Sequence, residues 1–331
     1  MSPRELDEDD VRIRPGRSSR PRTRTRPQHA DAVAAMVVAV DRGRFGCLVG
    51  GREVTAMRAR ELGRRAVVVG DRVAVVGDVS GGSDALARIV RVEPRTSVLR
   101  RSADDDDPVE RVLVANADQL VIVTALADPP PRPRLIDRCL VAAYDGGLEP
   151  LLCLTKHDLA TAEPLLAAYQ PLGVAAVTTS TREAGGPDGI DAVRDRLAGR
   201  MSVLVGHSGV GKSTLVNLLV PDAMRGVGVV SADGRGRHTS SSAVALALPR
   251  GGWVIDTPGV RSFGLGHVSV ERVLAAFPDL AEGALRCPSG CSHASGEPGC
   301  TLDAWVTAGE AEAVRLDSFR RLLEARDSAD E

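Results

Sequence analysis

Two short motifs limit the folds open to this chain, because of what each demands and because of the order in which they come. Thr155-Lys156-His157-Asp158 precedes Gly206-His207-Ser208-Gly209-Val210-Gly211-Lys212-Ser213-Thr214. The second stretch reads as a phosphate-binding loop. Residues 201–205 are an apolar run suited to a buried strand, residues 206–211 let backbone N–H groups wrap an anion, and residues 213–220 predict a helix whose N-terminus faces it. Lys212 is placed to reach the β- and γ-phosphates, and the Ser213 hydroxyl to ligate Mg²⁺.

The first stretch follows another apolar run, residues 150–154. The Asp158 carboxylate can accept from guanine N1–H and from the exocyclic N2 amine, whereas adenine offers no such pair of donors on that edge. A site built for such bonds rejects analogues lacking them. The Lys156 stem can cover the base. Two further elements complete a guanine-nucleotide site. Trp253-Val254-Ile255-Asp256-Thr257-Pro258-Gly259 is a strand ending in Asp-x-x-Gly, with Asp256 placed to hold Mg²⁺ through water and the Gly259 N–H to sense the γ-phosphate. Residues 226–242, rich in Gly, Ser and Arg, read as a switch loop. Thr239 is its candidate Mg²⁺ ligand, with Ser240, Ser241 and Ser242 as competitors. Residues 177–181 are a weaker candidate for the loop under the base. In most guanine-nucleotide domains the phosphate loop comes first, so these parts are circularly permuted.

Val260 follows Asp-x-x-Gly where a water-orienting Gln is common, which predicts slow intrinsic hydrolysis. His238 is the best internal candidate for the missing polar help, set against its reading as an ordinary loop histidine. His207 is expected to point outward.

A second constellation, Cys287-x3-Cys291-x-His293-x6-Cys300, offers three thiolates and an imidazole, the donor set of a closed tetrahedral Zn²⁺ site. One zinc per chain would supply folding energy to a region with little apolar material. Cys47, Cys139 and Cys153 lie in apolar stretches and read as core residues.

Residues 1–32 are expected to form a disordered charged tail, with acids in positions 5–10 and arginines from Arg12 to Arg26. An electrostatic arm for RNA phosphates and a solvated tail are both open readings. Residues 33–102 contain five short strands (33–40, 45–49, 52–57, 72–76 and 86–92) between polar turns, which predicts a closed β-barrel of the OB type, a frequent RNA-binding module. Phe45 is the only aromatic there, so RNA binding would lean on Arg and backbone rather than stacking. The acidic run 104–107 marks a linker. Residues 109–265 alternate strand and helix (119–124, 134–144, 151–155, 160–169, 174–178, 188–197), predicting an α/β domain with a mostly parallel sheet and both nucleotide motifs at carboxyl ends of strands. Residues 266–331 would form a mainly helical zinc-binding domain. The stretch 302–328 is expected to be helical, with Leu302, Trp305, Val306, Val314, Phe319 and Leu322 as its apolar face.

The chain has 331 residues, 43% of them hydrophobic and only 2% aromatic, so its cores must rest on aliphatic side chains. A net charge of −2 argues against a generic nucleic-acid binder. The absence of a membrane-length apolar run and of a signal-peptide pattern predicts a cytoplasmic location and no membrane partner. A monomer is the default expectation.

The ordered set Val114-Ala115-Asn116-Ala117-Asp118-Gln119, Thr155-Lys156-His157-Asp158, the phosphate loop, Gly236-Arg237-His238-Thr239, Asp256-Thr257-Pro258-Gly259 and the Cys/His cluster resembles the ribosome small-subunit-dependent GTPase family RsgA, also called YjeQ. The resemblance covers about residues 33–325. It implies a permuted P-loop GTPase domain between an OB barrel and a zinc domain, binding to the small (30S) ribosomal subunit and its 16S rRNA, hydrolysis of GTP stimulated by that subunit, and a role in late subunit maturation. It matches Thr239 to the switch threonine and Val260 to the family's apolar residue. The first cysteine gap is three residues where many members have four, and the His-to-Cys gap is six where many have five. Gly209 stands where some related GTPases carry a potassium-ligating Asn, so no potassium requirement is predicted. Two rivals remain: a GTP-sensing RNA-binding assembly factor with negligible catalysis, and a P-loop ATPase or kinase for which ATP competes equally.

Overall fold

The computed structural model describes residues 29–62, 67–82, 84–101, 111–181, 187–221, 243–257, 265 and 268–327. Five strands open it: β1 (Val33–Asp41), β2 (Arg44–Val49), β3 (Arg52–Arg58), β4 (Arg72–Gly77) and β5 (Ala87–Val92). Pairing runs β1-β2-β3-β5-β4 and returns to β1, so the sheet closes on itself. The β3–β5 pair is parallel and the other four are antiparallel. This is the predicted five-stranded OB-like barrel. Alternation along the strands turns Val37, Phe45, Cys47, Val54, Val73, Val75 and Ile89 into one apolar core. Phe45 is buried, so the barrel's single aromatic is spent on packing.

The acidic linker proves to be bracketed by strands that sequence patterning did not predict. β6 (Val98–Arg101) and β7 (Arg111–Ala115) form a separate antiparallel pair. Each is short and only partly apolar, so neither carries a clear period-two signal.

β8 (Gln119–Ala125), β9 (Glu149–Thr155), β10 (Ala175–Thr179), β11 (Met201–Val205) and β13 (Trp253–Asp256) pair in parallel in the order β10-β9-β8-β11-β13. Every residue of β8 is buried, which is why it reads as a continuous apolar run rather than an alternating one. β12 (Val244–Ala247) adds antiparallel to β13, and its other edge meets β1 at Val244↔Ala39. Barrel and parallel sheet thus form one continuous eleven-stranded sheet.

Helices α1 (Pro133–Gly146), α2 (Glu163–Tyr169), α3 (Ile190–Leu197) and α4 (Lys212–Leu219) connect the parallel strands. α2 begins three residues later than expected: Pro164 lies in its first turn, the helical place that tolerates a missing N–H. Beyond the sheet come α5 (Val270–Leu274), α6 (Pro278–Ala284), α7 (Leu302–Thr307) and α8 (Ala313–Asp327). The stretch expected to be helical, 302–328, is helical on both sides of a break around Gly309, but Val314 of its expected apolar face is exposed while Leu316 and Leu323 are buried. These helices share an apolar core with α1. Phe277 packs edge-on to Phe319 and Tyr144, with centroids 5.3 Å and 6.4 Å apart. Arg315 closes the junction with two bonds to Asp279 (2.6 and 2.7 Å) and one to Pro171 O (2.7 Å). Among the described residues, no helix is long and apolar enough to cross a membrane.

Candidate functional site

The phosphate loop lies between β11 and α4, as its sequence demanded. Gly206 passes so close to β8 that a Cβ there would sit 2.4 Å from Val123 O. Gly211, the residue before α4, has φ +90°, in the region L side chains avoid. Ser213 and Thr214 are exposed in the first turn of α4, where helical N–H groups lack intrahelical partners. Ser208 and Gly209 are also exposed, and the Val210 side chain is buried beneath the loop.

His207 departs from its expected outward pose. It is half-buried, its Nδ1 lies 3.0 Å from Ser208 O, and its buried Nε2 has no hydrogen-bond partner. Burial lowers its pKa, which the bond to Ser208 O opposes and nearby Arg132 reinforces.

Lys212 spans the gap to β13. Its Nζ lies 3.0 Å from Asp256 Oδ1 and donates to Thr257 O at 3.2 Å. Thr257 is itself held by its hydroxyl to Leu204 O of β11 (2.9 Å). An ammonium paired this way can exchange its carboxylate for another anion.

The Thr155–Asp158 motif sits at the end of β9, beside the loop. Thr155 is buried, and its hydroxyl lies 2.6 Å from Val210 O and 3.3 Å from Thr124 O. Lys156 adopts φ 59° and its Nζ donates to Asp128 O. Asp158 is exposed, with Oδ1 accepting from Ser180 Oγ at 2.5 Å. This brings the end of the 177–181 stretch to the carboxylate, where it was expected to lie under a base. His157 Nε2 pairs with Asp188 Oδ2 at 2.9 Å. Sequence reasoning missed Asp188 and Asp128. In sequence Asp188 reads as the start of a helix, whereas the helix begins at Ile190, and a backbone carbonyl such as that of Asp128 leaves no side-chain signature.

Thr239, His238, Gly259 and Val260, with the switch loop 226–242 and the Arg-rich tail, lie outside the described residues.

The second cluster assembles as its spacing required. The donor atoms of Cys287, Cys291, His293 and Cys300 all lie within 4.8 Å of one another and could hold a metal ion. Thr301 N donates to Cys287 Sγ at 3.3 Å. Burial opposes ionisation of Cys287, but hydrogen bonds from Thr301 and the neighbouring thiols outweigh it and lower its pKa. His293 is oriented from its backbone, whose carbonyl accepts from Arg320 Nε (3.2 Å), and Arg320 is anchored by Asp303 (2.6 and 2.8 Å). Cys47, Cys139 and Cys153 are buried, as expected.

A family model described as RsgA GTPase matches residues 92–266. A protein named small ribosomal subunit biogenesis GTPase RsgA from Chromohalobacter salexigens is 40% identical over 265 residues, covering 78% of this chain and 75% of that protein. Its namesake from Chlorobaculum parvum is 38% identical over 285 residues, covering 83% and 90%. Among solved structures, YjeQ from Thermotoga maritima superposes with a TM-score of 0.66 at 24% identity, covering 90% of this chain and all of the other. YloQ, titled a circularly permuted GTPase, superposes at 0.63 and 22% identity, covering 90% and 96%. At those identities the two structures establish the fold.

Proposed function

The chain belongs to the RsgA GTPase family, and from that premise we propose that it hydrolyses GTP to GDP and phosphate in the biogenesis of the small ribosomal subunit, on which it docks and which accelerates its turnover. The observation that carries the reading is the bond from Thr155 to Val210, which makes the base-reading motif and the phosphate loop two walls of one site.

The residues divide the work. Gly206 to Gly211 present backbone N–H groups to the phosphates, Asp158 reads the guanine edge, and Lys156 covers the base. Water adds to the γ-phosphorus, the bond to the bridging oxygen of the β-phosphate breaks, and the water proton leaves on the phosphate product. Lys212 neutralises charge that builds on the phosphate oxygens. Ser213 and Thr239 are the residues that would hold Mg²⁺ directly, with Asp256 acting through water. When bound, that cation supplies further positive charge at the β- and γ-phosphates. Gly259 senses the γ-phosphate. Val260 cannot orient water, so that part falls to His238 or to a group from rRNA, and the second makes turnover depend on the subunit.

Zn²⁺ is the metal best suited to Cys287, Cys291, His293 and Cys300, since three thiolates and an imidazole match its preferred donors and leave no open position. Its part is structural. The cytoplasm, where small subunits mature, is the proposed location, and monomer the proposed state.

Turnover of GTP with and without purified small subunits tests the reading. Stimulation by the subunits is expected, and its absence would favour a GTP-sensing assembly factor instead. Equal competition by ATP would point to a different class of P-loop enzyme.

A further inference from the structure

His157 stands between the lysine that covers the base and the carboxylate that reads it, yet its ring turns to Asp188, with Nε2 2.9 Å from Oδ2. Asp188 lies just ahead of α3 and exchanges two backbone hydrogen bonds with Ser180 (3.1 and 2.9 Å). Thr179 Oγ1 adds a third bond to Asp188 O at 2.7 Å. Ser180 is 1% exposed and gives its hydroxyl proton to Asp158 Oδ1. The contacts close a ring: His157 to Asp188, Asp188 to Ser180, Ser180 to Asp158, and Asp158 back to His157 through the chain.

We propose that His157 and Asp188 are positioning residues, which hold Ser180 in place and thereby fix the Asp158 carboxylate in the plane that reads guanine N1–H and N2 together. In this role they act on the base through Ser180 and Asp158. The physical argument rests on the two parallel donors of the guanine edge. Only a carboxylate whose plane matches theirs accepts from both, and an exposed aspartate rotates about its terminal torsion unless something stops it. A hydroxyl donated to one oxygen stops it, provided the serine is itself immobile. Ser180 follows β10 and forms an isolated antiparallel bridge with Asp188, and that brace ties it to the residue just ahead of α3. His157 pins that brace from the motif itself.

The proposal rests on the assignment of Asp158 to guanine, and inosine separates the two. Its base keeps N1–H and lacks the N2 amine, so the GDP/IDP affinity ratio reports the second bond alone. Affinities for both are measured on the full chain by displacement of a fluorescent GDP, for the native protein, His157→Ala, His157→Gln and Asp188→Ala. The native ratio is expected to be on the order of tenfold or more, as befits a hydrogen bond to a charged group. Both alanine variants should lower it severalfold, mainly through loss of GDP affinity. His157→Gln, whose amide can donate to Asp188, should keep the native ratio. A native ratio near one would overturn the assignment of Asp158, and the proposal with it. A native preference that survives intact in both alanine variants would overturn the proposal alone. If His157→Ala does not fold by circular dichroism, Asp188→Ala decides the matter from the other side of the contact.

Discussion

The Thr155 hydroxyl meets the Val210 carbonyl at 2.6 Å, across a sequence separation of 55 residues. Thr155→Val keeps the shape and removes the only donor in that contact. GDP affinity should fall roughly tenfold, the scale of one buried hydrogen bond with its acceptor left unsatisfied. Thr155→Ser, which retains the hydroxyl, should bind nearly as the native chain does. Titration calorimetry reads both, and an unchanged affinity in the valine variant would refute the coupling.

The nucleotide motifs were legible in sequence because each is contiguous and its chemistry dictates residue types at fixed offsets. The barrel was legible for a different reason: alternation and turn residues are local. What escaped was what only tertiary structure supplies. Asp188 looked like a helix start, and its use as a brace depends on Ser180, which comes near it only when β10 and α3 pack. β12 is four residues long, below the length at which a period declares itself. The break between α7 and α8 was hidden because apolar residues on both sides fit one helical face until Val314 proved exposed.

Between Arg286 and Cys300 only His293 is buried, so this stretch has no apolar core of its own. Purified protein should contain one zinc per chain by elemental analysis. Cys287→Ser should lower that content and raise amide exchange across residues 286–301, while β8, β9 and β11 stay protected. Full protection in metal-free protein would argue against a structural metal.

Asn116 is buried and ties three segments together. Its Nδ2 donates to Gly70 O (2.9 Å), and its Oδ1 accepts from Thr96 N (2.9 Å) and Thr96 Oγ1 (3.2 Å). Asn116→Ala leaves the first two backbone groups without these partners and should cost about 2–4 kcal/mol of stability in urea denaturation. A loss below about 0.5 kcal/mol, the level of an ordinary surface change, would mean the backbone groups find other partners.

Asp137 is buried on α1, 3.2 Å from Arg321 Nε of α8. Burial pushes its pKa up to about 6, with Arg321 pulling the other way. A carboxyl whose folded pKa is raised lends stability below its unfolded value, and that stability is lost as pH rises through about 6. Relative to Asp137→Asn, the native chain should therefore gain about 1 kcal/mol when pH is lowered from about 7.5 to about 5. Parallel denaturation curves for the two proteins at both pH values would show that Asp137 titrates normally.

The pairing of Ala39 with Val244 bears on how this molecule can be divided. A truncated chain starting at the parallel sheet would keep every nucleotide motif yet strip β12 of its neighbour, baring the N–H and C=O groups that meet β1 in the intact protein. Such an edge invites pairing with another chain. Besides whatever the barrel grips, it serves the intact protein as a cover against self-association, and solubility of the isolated nucleotide-binding part would be the first property to suffer.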